Sequence, residues 1–584
     1  MRNFIYLMCS GLLLMSATVA LAGPHLDVRI SGVDGDMLTN VEAMLDMVKH
    51  ADDKELSDRW VKRMHAKAEE QIRTALQPFG YYTPKIQAKL EKTAEGKWLA
   101  EYNIDPGEPT RLDHIDIQWR GAGAREPALQ QAVASFPLKK GDVLDHSKWE
   151  AGKEALLDAA YLAGYAKARM LKSQALVDPD THLADATLLL DSGPLYYFGK
   201  VSVHQDFLDE KLVAAYNTLK EGEIYSHDEL LRYQQGLIAG GYSQSVTLEP
   251  KFDLARENRV PIDVSMTPAK RHKFSFGLGF ETSIGPRFTA QWDDRRINRR
   301  GHQSTVYMKI AQKERELRGV YRIPVVDPRT DRLEIGASYH YEETPTTKST
   351  TLSPEIAFVR RNLEDTLFMK GFVNYNYELF TVDGDPERTS KLLQLGFISR
   401  YSEVESAVFP RTGRYAYGEI RGAADALLSD TSFVRVLLKG RYLLPFGDNG
   451  RLDVNLAIGA AWVDDFDLYP NSLRYFAGGD GSVRGYTYKE LGPKDDKGVV
   501  IGGRQMFVTS LEYDHRIAKN WALAVFVDAG NAYNDTLDKL FVGAGFGARW
   551  LAPFGALKLD FGWPVSEDAG LGDFQFYIGF GATL

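Results

Sequence analysis

The sequence predicts a fold in two parts, three small α+β repeats followed by a transmembrane antiparallel β-barrel of about sixteen strands. Three observations predict it. Helix-stopping glycine-tyrosine landmarks recur roughly eighty residues apart before residue 268, a small-domain spacing. After that point apolar and polar residues alternate strictly, the period of a strand with two unlike faces. Beyond the first two dozen or so residues no apolar run is long enough for a membrane helix, so any span must be made of strands.

Residues 1–22 read as an export signal. Arg2 and Asn3 precede an apolar run from Phe4 to Leu21, which closes on the small-x-small pattern Ala20-Leu21-Ala22. The only cysteine, Cys9, lies inside this segment, which leaves the mature chain no thiol for disulfides, metal binding or nucleophilic attack. A lipoprotein anchor at Cys9 is a poorer reading, because Tyr6-Leu7-Met8 offers no small residues before it.

The 584 residues contain 52 glycines and 11% aromatics, and both gather after about residue 270. The net charge is -9 and no basic patch stands out, which argues against nucleic-acid binding.

The repeats are expected over 23–107, 108–193 and 194–268, each in the order strand, helix, helix, strand, strand. Their second helices stop at Phe79-Gly80-Tyr81, Ala163-Gly164-Tyr165 and Gly240-Gly241-Tyr242. Glycine suits the left-handed turn that ends a helix, and the tyrosine can open a half-buried strand. Each unit closes on a turn, at Pro106-Gly107-Glu108-Pro109, Ser192-Gly193-Pro194 and Thr267-Pro268.

Residues 269–584 carry the alternation of a barrel wall. Phe274, Phe276, Leu278 and Phe280 share one face against Ser275, Gly277, Gly279 and Glu281, and the final segment sets Phe574, Phe576 and Ile578 against Gln575, Tyr577 and Gly579. A soluble sandwich also alternates, but aromatics near strand ends and a glycine-rich opposite face favour a membrane wall. In Trp521 to Gly530 the same parity turns Asp528 inward, and in Phe507 to Tyr513 it turns Glu512 inward.

The stretch from Arg474 to Tyr486 has four glycines and breaks the alternation, so it is expected to be a loop. It is not a phosphate cradle, since nothing helical follows Tyr486-Thr487-Tyr488. Within it Val483-Arg484-Gly485-Tyr486 resembles the loop signature of the superfamily of BamA, TamA and two-partner-secretion transporters. Gly502-Gly503, Ser510-Leu511-Glu512-Tyr513, Phe526-Val527-Asp528-Ala529-Gly530 and Phe409-Pro410-Arg411-Thr412-Gly413 also match motifs of that superfamily, in order. The resemblance covers essentially the whole mature chain, and it makes the repeats similar to POTRA (polypeptide-transport-associated) domains.

The resemblance implies that the loop folds back into the barrel lumen. There Arg484 would meet Asp528, with Glu512 a second acceptor and Gly485 and Tyr486 beside it, a lock for the loop. Three repeats rather than five separate the chain from the BamA branch, and three rather than two, without a plug helix, from two-partner transporters. The ending Phe576-Tyr577-Ile578-Gly579 is similar to that of the TamA branch. Gly579 and Gly581 in the last strand suggest a weak lateral seam, with Phe274, Phe276, Leu278 and Phe280 on one side and Phe576, Ile578, Gly579 and Gly581 on the other.

What the branch implies is an outer-membrane factor, its POTRA domains in the periplasm, that inserts or secretes autotransporters and other outer-membrane proteins. The implied partners are a TamB-like inner-membrane-anchored protein, unfolded clients and the lipid bilayer, with no cofactor. Alternatives are export of a dedicated soluble partner through the lumen, a passive porin, or an enzyme. Catalysis is not expected, because His340 and His515 are isolated and Ser482 lacks a nucleophile-elbow context.

Overall fold

The computed structural model describes residues 26–53, 56–94, 96–383, 385–404, 409–552, 555–565 and 574–581. The expected export signal with Cys9, and the chain's last residues Ala582, Thr583 and Leu584, lie outside them. Two compact units divide the chain, one of residues 1–200, 220–228 and 251–261, the other of 201–219, 229–250 and 262–584.

Each repeat contains a three-stranded sheet among the described residues. In the first, Leu26–Ser31 runs parallel to the central strand Trp98–Asp105, and Lys85–Lys92 pairs with it antiparallel. The second repeats this with Arg111–Arg120, Leu183–Asp191 and Arg169–Asp178. The third contributes Tyr197–His204, Arg259–Pro268 and Ser243–Pro250, in that spatial order. The landmark glycines turn the chain as their sequence implied, for Gly80, Gly164 and Gly241 have φ of 90°, 92° and 76°.

Helix Asp58–Leu76 shows why the first repeat holds together. Ser57 caps it by accepting from the Trp60 amide at 3.3 Å, and Val61, Met64, Ala68, Ile72 and Ala75 fall at three- and four-residue spacing along its buried stripe. They pack on Ala100, Tyr102 and Ile104 of the central strand. Burying Ile72 contributes about 1.5–3 kcal/mol, and Ile72→Ala would cost about 2–5 kcal/mol through the cavity it leaves. The first repeat departs from the expected pattern by two additions, a short helix at Asp46–Lys49 and a 3-10 turn at Gln77–Phe79.

In the second unit, sixteen antiparallel strands among the described residues close a barrel from His272–Glu281 to Gln575–Gly581, each paired with its neighbour in sequence. Parity sorts the wall as alternation requires. Phe274, Phe276 and Leu278 stand 64%, 72% and 82% exposed on the outside, whereas Asp528 and Arg549 on the inside are fully buried.

The first strand pairs with the second from His272 through Glu281, but its described register with the last strand holds one pair, Glu281 with Gly579. The Ile578 amide also donates to the Thr282 hydroxyl at 2.9 Å. On its other side the last strand is well fastened. It pairs with Gly555–Pro564, and outside the wall Phe576 lies 4.8 Å from Phe561, while Phe574 lies 5.9 Å from Trp563.

Candidate functional site: a loop tip held in the barrel lumen

The eleventh and twelfth barrel strands, Gly450–Val463 and Gln505–Ala518, are joined by residues 464–504, which make isolated bridges rather than a ladder. Arg474 organises the base of this loop, donating to the carbonyls of Tyr469 (3.0 Å), Ile501 (3.0 Å) and Phe466 (2.8 Å). Tyr475 and Gly503 exchange backbone hydrogen bonds at 2.9 and 2.8 Å, which places the Gly502-Gly503 motif. Tyr469, Leu473, Tyr475, Ala477, Val483 and Leu491 then pack on Met506, Val508 and Ala532 of the wall. This apolar contact favours a docked loop before any charge is considered.

The loop crosses the lumen. On one side Lys489 meets Glu342 at 2.7 Å and Asn471 donates to Thr347 at 2.8 Å. On the other the tip reaches the twelfth to sixteenth strands. Gly478, Gly479 and Gly485 have φ of 101°, 98° and 102°, left-handed conformations that a side chain resists.

At the tip, Arg484 and Asp528 are joined three times: Asp528 accepts from the Arg484 amide (3.0 Å), Nε (2.7 Å) and Nη2 (3.0 Å). Nη1 donates to Glu512 at 2.6 Å, and the guanidinium lies 3.4 Å from the centroid of the Phe526 ring. The rigid fork suits this arrangement, because two donors meet one carboxylate while a third reaches the next strand. A cation over a ring face gains further when water is excluded.

The network extends past the residues that sequence reasoning assembled. Asp560 lies 3.4 Å from Arg484 and also accepts from Arg549 at 2.5 Å. Arg549 donates to Glu512 at 2.9 Å and lies 3.6 Å from Asp514. Asp514 takes Arg451 at 2.8 Å, and Arg451 stacks 3.6 Å from the Phe409 centroid while donating to the Pro410 carbonyl at 2.6 Å. Four of the motif segments therefore meet in one charged chain. Removing Arg484 leaves Asp528 a buried carboxylate without a counter-ion, a cost of about 3–5 kcal/mol.

The opposing wall is shaped to admit the tip. A Cβ at Gly543 would overlap the Arg484 carbonyl, one at Gly562 would come to 2.8 Å of the Gly485 amide, and one at Gly485 would come to 2.7 Å of the Trp563 backbone. The glycines on this face thus do more than tolerate turns. They let two backbones approach.

Tyr577 of the last strand is a contact that the sequence reading passed over. Its hydroxyl accepts from the Gly485 amide at 2.9 Å and donates to the Tyr486 carbonyl at 2.7 Å. Parity already turned this ring inward, and a polar group at its tip two residues from Gly579 was the available signal. Of the predicted seam residues, the large apolar ones are not gathered into a lumen site. Phe274, Phe276, Leu278, Phe280 and Phe576 face outward. Between tip and seam lies a pocket of about 210 Å³ lined by Glu281, Asp480, Arg484, Lys558, Tyr577 and Gly579. Of the residues weighed for catalysis, His340 meets Glu314 at 3.1 Å and His515 meets Tyr513 at 2.9 Å, while Ser482 accepts from the Gly478 amide at 3.3 Å.

A barrel with an arginine-tipped loop docked in its lumen, behind small α+β sheets, defines the class. The chain belongs to the Omp85 superfamily, whose domain matches residues 265–584, and a POTRA domain described as TamA domain 1 matches residues 27–106. It is 21% identical over 527 residues to the outer membrane protein assembly factor BamA of Nitratidesulfovibrio vulgaris, covering 86% of this chain. The chain spans 66% of the length of that relative. BamA from Haemophilus ducreyi, in a structure lacking POTRA domains 1-3, is similar in fold, with a TM-score of 0.66 at 16% identity over 81% of this chain and 99% of that one. CdiB from Acinetobacter baumannii overlays with a TM-score of 0.44 at 13% identity, over 81% and 90% of the two chains.

Proposed function

We propose that this chain is an outer-membrane assembly and translocation factor of the TamA branch, which helps autotransporters and other outer-membrane proteins into or across that membrane. In this reading residues 23–107, 108–193 and 194–268 are periplasmic POTRA domains that receive a TamB-like inner-membrane-anchored partner. Residues 269–584 form the wall. The match of the first repeat to a TamA-type POTRA domain supports the branch.

The observation that carries the mechanism is the fastening of the last strand to the fifteenth strand and to the loop. It is paired and ring-stacked on the fifteenth strand and pinned to the loop through Tyr577, yet its described register with the first strand is the single pair Glu281 with Gly579. In this reading the first and last strands part, which bares a row of backbone donors and acceptors in a setting where water cannot satisfy them. An unfolded client strand has the same unmet need, so pairing at the edge of His272–Glu281 satisfies both. The Arg484 lock keeps the wall in shape while the edge is occupied. No covalent chemistry is involved.

Photo-crosslinking from Ser275, Gly277 and Gly279 to newly made outer-membrane proteins tests this reading. Capture of an unfolded barrel client supports it. Capture of one soluble exoprotein inside the lumen, with none at the seam, would replace it by two-partner secretion, and conductance without client dependence would indicate a porin.

A further inference from the structure

No basic patch stood out in the sequence. The fold corrects this, because alternating strands bring together segments that are apart in sequence. Lys270-Arg271-His272-Lys273 and Arg295-Arg296-Ile297-Asn298-Arg299-Arg300 meet at the open end of the first barrel hairpin, where His272 stands opposite Asp294 and the Arg295 amide donates to the Arg271 carbonyl at 2.8 Å. In a chain of net charge -9, this is a local excess of cations.

The charges nearby do not cancel it. Asp294 is buried and engaged by Arg271 at 2.8 Å, Asp293 accepts from Thr305 at 2.7 Å and from Gln291 at 2.9 Å, and Arg296 lies over the Phe207 ring at 4.8 Å. Among the described residues no carboxylate is in ion-pair reach of Lys270, Arg295, Arg299 or Arg300. The turn that carries the last three is held in place. The Asp209 amide donates to the Arg299 carbonyl at 2.7 Å and the Tyr242 hydroxyl to the Gly301 carbonyl at 2.7 Å.

Its height relative to a bilayer follows from the ring beside it. Trp292 stacks on His272 with centroids 5.8 Å apart and shares the outward face with Phe274 and Phe276. A tryptophan where an apolar outer face gives way to a charged turn marks the membrane-water boundary. The guanidinium groups one turn further on then stand at headgroup depth, where forks with no protein partner match phosphate oxygens.

We propose that Lys270, Arg295, Arg299 and Arg300 form a headgroup site for anionic phospholipid at the foot of the first barrel strand. The site fixes the base of the seam strand to the leaflet while its upper edge is free to pair. This rests on the membrane reading of the barrel given above.

The test uses the full chain in vesicles of phosphatidylcholine with a minor fraction of chain-spin-labelled phosphatidylglycerol or phosphatidylcholine, comparing the wild type with Arg295→Gln/Arg299→Gln/Arg300→Gln. These three side chains carry no contact that the fold needs. The wild type should hold labelled phosphatidylglycerol at least about fivefold more strongly than labelled phosphatidylcholine, with the preference lost in the variant and in about 0.5 M salt. Equal preference in wild type and variant, both embedded, would overturn the site. A polyglutamate peptide that binds the wild type alone, without headgroup preference, would overturn it in favour of an acidic protein partner. Failure of both chains to float with the vesicles would instead refute the membrane reading.

Discussion

Replacing Arg484 with alanine is the sharpest perturbation of the lumen lock. It removes the guanidinium bonds to Asp528 (2.7 and 3.0 Å) and to Glu512 (2.6 Å), together with the stack on Phe526. The losses are unequal. Glu512 and Asp560 keep Arg549 at 2.9 and 2.5 Å, whereas Asp528 keeps the Arg484 amide at 3.0 Å. The penalty therefore falls on Asp528, a buried carboxylate without a counter-ion, and is about 3–5 kcal/mol. At about 1.4 kcal/mol per decade, the docked fraction of the loop relative to the released one falls by roughly two to nearly four orders of magnitude. Hydrogen exchange of the amides from Phe476 to Glu490 in the full chain reads this directly, since release exposes the Arg484 and Gly485 amides to water. The double variant Arg484→Ala/Asp528→Ala leaves no orphan charge, and its protection should recover to within about 1 kcal/mol of the Asp528→Ala variant alone. Unchanged protection in Arg484→Ala, or strictly additive losses in the double variant, would refute the reasoning.

Other outcomes follow from the same geometry. Arg484→Lys keeps the charge but not the fork, so the loop should stay docked with protection between that of wild type and Arg484→Ala. Tyr577→Phe leaves the Gly485 amide and Tyr486 carbonyl without their hydroxyl partner, a loss of about 1–3 kcal/mol that should appear as faster exchange of Gln575–Gly581 while the Arg484 amide stays protected. Gly543→Ala should expel the tip by steric overlap with the Arg484 carbonyl and reproduce the exchange pattern of Arg484→Ala without touching a charge. In the second repeat, burial pushes the His146 pKa below its usual 6.5, with Asp145 and Glu150 opposing, and its ring meets Tyr82 at 2.7 Å. The folded state then binds fewer protons than the unfolded one below pH 6.5, so stability declines as pH falls through that value. Thermal unfolding of this repeat should occur at lower temperature at pH 5 than at pH 7.5, and His146→Gln should reduce the difference.

Much of the architecture was legible because period and parity are local. Alternation needs only neighbours in sequence, so the strands at Phe274, Trp521 and Phe574 could be read directly, and parity alone turned Asp528 and Glu512 inward. The landmark glycines were legible for a similar reason, since a left-handed turn at Gly80 or Gly164 is a property of one residue. Arg549, Asp560, Asp514 and Arg451 were not assembled, because each looks like an ordinary polar residue on a wet face. Their meaning depends on register between strands and on a loop arriving from elsewhere. The glycine-rich inner face was read as a mark of a membrane wall, while at Gly543 and Gly562 the structure shows it as clearance for a second backbone. The run from Arg295 to Arg300 was legible in the sequence, but its junction with Lys270 to Lys273 forms only across a hairpin.

The central claim is that the first and last strands part to let a client pair with the exposed edge. Cysteines at Glu281 and Gly579, the pair that joins them, test it most directly. Assembly of an autotransporter client should stop when the disulfide is formed under oxidising conditions and resume when it is reduced. Full assembly with the crosslink verified as complete would contradict the account.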